Sequence, residues 1–422
     1  MRWIAGPLLV VLLVSPLLAR PEGDLRAQLE ELRRRLEQLE RRLGEQQRTL
    51  GELRRSQQDL ASLKEALGKL QLHLGVTTIV QGSAGNDLGD ATDASYSGDL
   101  EFSAEFGRWG RAYLHLEGGD AAGLTDEVVA LSGVNADALD PAGGQQNDFQ
   151  IVEAYWELPL LEERLVLTVG KLDPTVYFDA NAVANDEVTQ FLADIFVNNI
   201  AMEWPDYGPG LRLLIRPREG LEVDLGYLSG DSDWEDLLEE GFAIGEVRLA
   251  ASLRGRPGTW RLYGWTHRGH HLSWSELFRG EPEGDRRNWG LGLSLDQQLA
   301  DGLTCFCRFG MQDRDVAGDP EEPFAVEYSW SLGLQLTGAG WGREGDVLGV
   351  AFGQALLSDN YRRWLRQQGI EPARESHLEV YYSLELGEHV HISPDLQLIW
   401  NQGGHDDRDV VTVVGTRLQV DF

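Results

Sequence analysis

Two hydrophobic periods divide this chain. Leucine recurs at 25, 29, 32, 36, 39, 43, 50, 53, 60, 63, 67, 70 and 74, with Gln46 and Gln57 at two further seam positions. Steps that alternate between three and four residues are the repeat of a coiled coil. The phase slips between Leu60 and Leu63, where a local distortion is expected. At about 1.5 Å per residue, Asp24 to Leu74 would form a rod of roughly 76 Å. Such a seam has no partner within its own sequence, so it implies self-association, and leucine at nearly every position does not fix the number of strands.

From residue 76 the period becomes two. Leu378, Val380, Tyr382, Leu384 and Leu386 alternate with Glu379, Tyr381, Ser383 and Glu385, and Leu100, Phe102, Ala104 and Phe106 alternate with Glu101, Ser103 and Glu105. Strands with one apolar and one polar face suit a sandwich or a barrel. Sixteen are expected, near 76–83, 98–106, 109–118, 149–158, 164–172, 209–216, 220–229, 242–254, 258–268, 286–298, 302–312, 324–338, 344–357, 374–387, 389–401 and 409–422. Loop length decides between the two folds. Long connections at 84–97, 119–148, 173–208, 230–241, 269–285, 313–323, 358–373 and 402–408 alternate with tight turns such as Gly107-Arg108, Gly255-Arg256-Pro257, Ala300-Asp301 and Glu388. Short periplasmic turns and longer external loops are the signature of an outer-membrane barrel. The fold class is therefore an all-β membrane protein: a sixteen-stranded antiparallel outer-membrane β-barrel preceded by a periplasmic α-helical coiled coil. An even strand count puts both barrel termini in the periplasm.

Charge sharpens the division. The chain carries a formal charge of -32, and residues 76–422 hold 24 basic and 59 acidic residues, a net of -35. An acidic excess of this size excludes a nucleic-acid partner, which needs a basic footprint. After the first twenty residues no apolar run reaches the ~18–20 residues of a membrane helix. Residues 1–19 read as a secretory signal peptide, with Arg2 before an apolar run and Ala19 at the cleavage end; a short membrane anchor is the alternative. No Cys follows that run, so lipid attachment is not available. The domains are then 1–19 signal peptide, 20–75 coiled coil and 76–422 barrel.

Several segments of the barrel region resemble the carbohydrate-selective porin (OprB) family. They are Val169-Gly170-Lys171-Leu172-Asp173-Pro174, Tyr177-Phe178-Asp179, Asn185-Asp186-Glu187, Gln190-Phe191-Leu192 and Phe196-Val197-Asn198-Asn199. Near the end, Asp346-Val347-Leu348-Gly349-Val350-Ala351-Phe352 and Pro394-Asp395-Leu396-Gln397-Leu398-Ile399-Trp400-Asn401 with Gly403-Gly404 are similar to the same family, although Gln402 stands where a Pro is expected. The resemblance covers most of 76–422 and leaves the coil outside the porin core. It implies a sixteen-stranded barrel that passes monosaccharides and similar small solutes across the outer membrane.

The loop 173–208 is the expected constriction. Asn185-Asp186-Glu187 caps an i, i+3, i+4, i+7, i+8 stripe of Val188, Phe191, Leu192, Ile195 and Phe196, which predicts a helix folded into the lumen. A compact loop packed on the rim is the alternative. With apolar faces toward lipid, the opposite faces line the pore. They carry Arg111, Tyr113, His115 and Glu117; Glu153, Tyr155 and Glu157; Arg212, Arg216 and Arg248; Arg261, Tyr263, Trp265 and His267; and Arg308, Glu379, Tyr381 and Arg417. Planar charged groups suit sugar hydroxyls, and aromatic rings suit sugar faces. The alternative is that these charges only solvate a watery lumen. The substrate path is assigned to Arg111, Glu153, Tyr155, Tyr177, Phe178, Asn181, Asp186, Arg261, Tyr263, Trp265 and Arg417, with Arg261, Tyr263 and Trp265 at its centre. Trp156, Trp260, Trp289, Trp400 and Tyr328 are expected in the interfacial girdles.

Other chemistry is weakly signalled. Asp231, Asp233, Glu235 and Asp236 lack the spaced pattern of a calcium loop. His270, His271 and His405 stand apart from metal partners, and Cys305 and Cys307 read as small lipid-facing residues. No nucleophile and base are paired, so neither an enzyme nor any cofactor or metal is expected. The expected function is passive diffusion of carbohydrates. The alternatives are a general cation-biased porin, or a structural tether with the coil reaching the cell wall. Expected partners are outer-membrane lipid, small sugars, and two further copies of the chain in a homotrimer held by the coil.

Overall fold

The computed structural model describes residues 27, 29–38, 41–45, 47, 48 and 51, and from residue 68 onward all but 121, 139–148, 282–283 and 320–322. Strands β1 (Leu70–Ala84), β2 (Thr92–Glu105), β3 (Arg111–Asp120), β4 (Phe149–Leu160), β5 (Leu165–Leu172) and β6 (Gly208–Arg218) run in chain order. They are followed by β7 (Leu221–Ser229), β8 (Gly241–Leu253), β9 (Arg256–Ser273), β10 (Arg286–Ala300) and β11 (Leu303–Gln312). The set ends with β12 (Val316–Gly318), β13 (Val326–Thr337), β14 (Val347–Leu357), β15 (Glu375–Gly387), β16 (Val390–Trp400) and β17 (Val411–Asp421). Sixteen of them form one closed antiparallel barrel, which β1 and β17 complete from Gly75↔Asp421 to Ala84↔Thr412. The three-residue β12 instead pairs with Leu272 and Ser273 at the end of β9.

The barrel starts at Leu70, six residues earlier than the sequence pattern places it. Leu70 and Leu74 pair with Ala104 and Leu100 of β2 and so belong to a strand, not to a helical seam. The reason is that a step of four residues keeps a side chain on one face in both a helix and a strand. Leu72, between them and equally outward, settles the period as two.

The N-terminal unit, residues 1–69, is separate from the barrel unit. Its described residues from 27 to 51 are helical, with Leu29, Leu32, Leu36 and Leu43 on exposed surface. Leu25, Leu39, Leu50, Leu53, Leu60, Leu63, Leu67, Gln46 and Gln57, and the segment 1–19, lie outside the described residues.

The outer wall is apolar. Val80, Val169, Leu211, Leu225, Val247, Leu262, Leu291, Leu332, Leu334 and Val414 are all exposed, a surface that only hydrocarbon tolerates over such an area. Trp109, Trp156 and Trp260 are exposed at the short-turn end and Trp289 at the long-loop end, while Trp400 and Tyr328 are half-buried. Cys305 and Cys307 are unpaired thiols on β11. The turn after β2 is tight enough to require glycine: Gly110 has φ 92°, and a Cβ there would lie 1.9 Å from the Glu157 carbonyl oxygen.

Candidate permeation path

The inward faces of the strands are largely covered, because the connection between β5 and β6 (residues 173–207) folds into the barrel. Phe191, Ile195 and Phe196 pack against Phe306, Ala351 and Tyr381 of the wall. The segment is not the helix expected from its stripe. Its helical turns are only Pro174–Tyr177, capped by Asp173, and Asp194–Val197, while 185–193 is bends and turns.

An irregular chain inside a barrel must find partners for its backbone. Charged wall residues supply them. The Glu379 carboxylate accepts from the Leu192 and Ala193 amides at 2.6 and 2.9 Å. Arg308 donates to the carbonyl oxygens of Phe196, Ala184 and Asp179 at 2.8, 2.8 and 3.0 Å, and its Nε lies 2.8 Å from the Asp179 carboxylate. Arg417 donates to the carbonyls of Glu187 and Gln190 at 2.5 and 3.0 Å. Glu375 does the same for the second long loop, accepting from the Leu131 and Ser132 amides at 3.0 and 2.8 Å.

These anchors correct part of the expected path. Tyr263, 2% exposed, donates to Asp179 and accepts from Asn199, both at 2.9 Å. Trp265, 4% exposed, packs with Leu172, Phe178, Met202 and Phe242, and Arg261 is closed off by Asp296 at 2.6 Å. Asn181 is bonded to Ser294, and Arg417 holds the loop backbone. For Tyr263, Trp265 and Arg417 the inward face of the strand lies beneath the loop. Tyr177 sits at the border, its ring 6.4 Å from Tyr155 and 4.4 Å beneath the Arg212 guanidinium.

Among the described residues the loops leave open a cavity of about 750 Å³ against β1–β4, lined by four of the expected residues: Arg111, Glu153, Tyr155 and Asp186. The β3–β4 register sets Tyr113 opposite Tyr155, Arg111 opposite Glu157 and His115 opposite Glu153. The two tyrosine rings stack with centroids 4.9 Å apart, and Arg111 donates to the Tyr155 hydroxyl at 3.2 Å. Tyr113 donates to Glu101 at 2.7 Å, and His115 lies 2.9 Å from Asp99. Nine carboxylates line the cavity against one arginine, Arg111, and three histidines. A second cavity of about 320 Å³, lined by Glu105, Glu157, Arg212 and Arg216, shares Arg111 with it and reaches toward the short-turn end.

Asp137, Tyr207 and Asp99 are lining residues absent from the expected path. Asp99 lies on the inward face of β2 and was legible from alternation. Asp137 and Tyr207 come from loops and carry no periodic signal. Asp137 accepts from the Ser97 hydroxyl at 2.9 Å, and burial pushes its carboxyl up to about 7.

Among the described residues, one group has the spacing of metal ligands: Glu203, His267 and His271, with donor atoms within 4.8 Å of one another. His271 is therefore not isolated, as its sequence neighbours suggested. The acidic loop residues Asp231 and Asp233 accept from amides two residues on, as turn-formers do.

The structure superposes on the high-pH structure of Pseudomonas putida OprB with a TM-score of 0.72 at 17% identity, covering 85% of this chain and 96% of that one. For the outer membrane channel DcaP of Acinetobacter baumannii the TM-score is 0.52 at 12% identity, with 84% and 97% covered. At these identities the likeness is one of fold. A protein of Aquifex aeolicus (strain VF5), described as uncharacterized, is 27% identical over 274 residues, 64% of this chain and 69% of its own length. The family model described as carbohydrate-selective porin, OprB family, matches residues 26–422, taking in the helical segment as well as the barrel. That family and its fold are those of non-enzymatic outer-membrane channels for small solutes, and this chain, matched over nearly its whole length, belongs to it as an outer-membrane carbohydrate porin.

Proposed function

We propose that sugars cross this porin by passive diffusion through the cavity beside β1–β4, with the Tyr113–Tyr155 pair and Arg111 as its main sugar-binding surface. The observation that supports this is the combination of stacked rings and a planar cation at the place where the larger cavity meets the smaller one. An aromatic face takes the C–H side of a pyranose, and Arg111 with Glu101 and Glu153 addresses its hydroxyls. Exchange stays fast because each group holds the solute weakly, and tight binding would stall release. The test is a planar-bilayer current titrated with neutral monosaccharides. Replacing Tyr113 or Tyr155 by Ala should weaken sugar block at least several-fold while the pore stays open, and unchanged block would remove the pair from the path.

A cation-biased general porin is the second reading, favoured by the nine carboxylates of the cavity. Ion selectivity and sugar preference are compatible, since neutral sugars are indifferent to net potential.

We further propose that residues 1–19 are a cleaved signal and that residues 20–69 form a periplasmic coiled coil joining three barrels. Each seam leucine buried between copies is worth roughly 1.5–3 kcal/mol before entropy and association costs. Threefold closure is preferred because three barrels in one membrane plane meet around an axis that a coil can prolong. Contact of the same segment with the cell wall, as a tether, is a further role we propose for it.

A further inference from the structure

The geometry points to a divalent-metal site, of the zinc class, built from Glu203 near the end of the inward loop and from His267 and His271 on the external half of β9. No part of the carbohydrate path uses these three residues. His267 and His271 are four residues apart on one strand, so both rings fall on its inward face, 5.4 Å apart at their centroids. Both are more than nine-tenths buried.

The Glu203 carboxylate stands between the two rings, with the three ligand atoms within 4.8 Å of one another. His271 Nδ1 donates to the Arg286 carbonyl at 3.0 Å and its Nε2 donates to Glu203 Oε1 at 2.5 Å, so the ring holds both protons here and an arriving ion would displace the one on Nε2. His267 Nδ1 lies 2.8 Å from the same oxygen, outside the direction in which a ring N–H donates, and is left with no hydrogen bond. The other Glu203 oxygen accepts from Asn288 at 2.8 Å, and Asn288 also donates to Gln312 at 3.0 Å. A backbone carbonyl behind one imidazole and an amide behind the carboxylate are the supports that orient metal ligands.

Two imidazoles and one carboxylate suit a borderline ion that takes nitrogen and oxygen in tetrahedral geometry, and do not suit calcium or magnesium, which need six or more oxygens. Around an ion with bonds near ~2.0–2.2 Å, donors stand about 3.3 Å apart, so the Glu203 oxygen has to withdraw by less than about 1 Å and the two rings have to adjust within the 4.8 Å that bounds the three atoms. The fourth position is left for water. A bound ion would tie the trailing end of the inward loop to the barrel wall, giving occupancy a direct effect on how firmly the plug is held.

The test uses the full chain folded in detergent and stripped with a chelator. Zinc should bind at one equivalent, and cobalt should give the visible absorption of a tetrahedral site. Glu203→Gln should weaken zinc at least about a hundredfold and Asn288→Ala about tenfold, while His405→Ala leaves binding unchanged. In the unaltered protein, zinc should protect His267 and His271 from diethyl pyrocarbonate, a readout that needs no variant to fold. Substoichiometric zinc at micromolar concentration, equal loss in His405→Ala, or unprotected histidines would each overturn the site.

Discussion

Arg308 offers the sharpest test of the idea that wall charges hold the loop rather than line the pore. It is 1% exposed, it donates to three loop carbonyls, and its partner Asp179 is fully buried. Arg308→Met keeps the bulk and removes the charge, stranding the Asp179 carboxylate and three acceptors. Breaking a buried pair by deleting one partner costs about 3–5 kcal/mol, because the remaining charge is uncompensated. The sixteen-stranded ladder does not depend on this contact, so the cost falls on docking of the loop. At about 1.4 kcal/mol per tenfold, the docked-to-released ratio should drop by roughly two to four orders of magnitude. Glu379 and Arg417 still hold other parts of the loop, so partial release is expected. Single-channel recordings should show a larger and noisier conductance, and protease should nick residues 173–207 in a barrel that otherwise stays folded. Asp179→Asn added to Arg308→Met should recover part of the loss by removing the stranded charge. If Arg308→Met leaves conductance, sugar block and protease resistance unchanged, the loop is held by something else.

Other outcomes follow from the same geometry. Trp265→Ala should alter conductance through looser packing of the loop while sugar affinity changes less than in Tyr113→Ala, as measured by block in bilayers. The Asp137 carboxyl, raised to about 7 by burial, is neutral below that pH and charged above it. Cation preference read from the reversal potential should therefore grow from pH 6 to 8 at low salt, and Asp137→Asn should flatten the rise. Charged residues at Leu36, Leu39 and Leu43 should dissociate a detergent-solubilised trimer into folded barrels; a monomeric unaltered chain in light scattering would mean that the coil pairs with another protein.

The barrel was legible because a strand in lipid has one apolar and one polar face, and nothing else in this chain alternates so regularly. Strand ends fell within a few residues of the pattern except at β1, where Leu70 and Leu74 satisfied both periods, at β2, which begins at Thr92 rather than 98, and at β9, which runs on to Ser273. The inward loop was less legible. Its stripe of Phe191, Leu192, Ile195 and Phe196 is spaced as in a helix, yet the amides of Leu192 and Ala193 go to Glu379 and the carbonyls of Glu187 and Gln190 go to Arg417. Those tertiary partners replace the i to i−4 ladder, and no local period reports them. The same blindness misplaced Tyr263 and Trp265, since alternation tells which side a residue faces and not whether a loop lies over it.

Covering the wall decides the charge of the path. The basic residues that face inward are largely engaged: Arg212 with Asp224 at 2.7 Å, Arg248 with Glu246 and Asp224, Arg261 with Asp296, Arg308 with Asp179, and Arg417 with loop carbonyls. Each is fixed, and all but Arg417 neutralise a carboxylate at short range. The open cavity keeps Arg111 as its one arginine among nine carboxylates. A negative potential concentrated in a narrow, low-dielectric passage acts far more strongly than the same charge spread over the surface. On the proposed path, anionic solutes of sugar size should therefore permeate more slowly than neutral sugars at low salt, and equal permeation would refute the reasoning. The inward loop narrows the lumen and holds Arg308 and Arg417, while Arg212 and Arg261 are held by wall carboxylates.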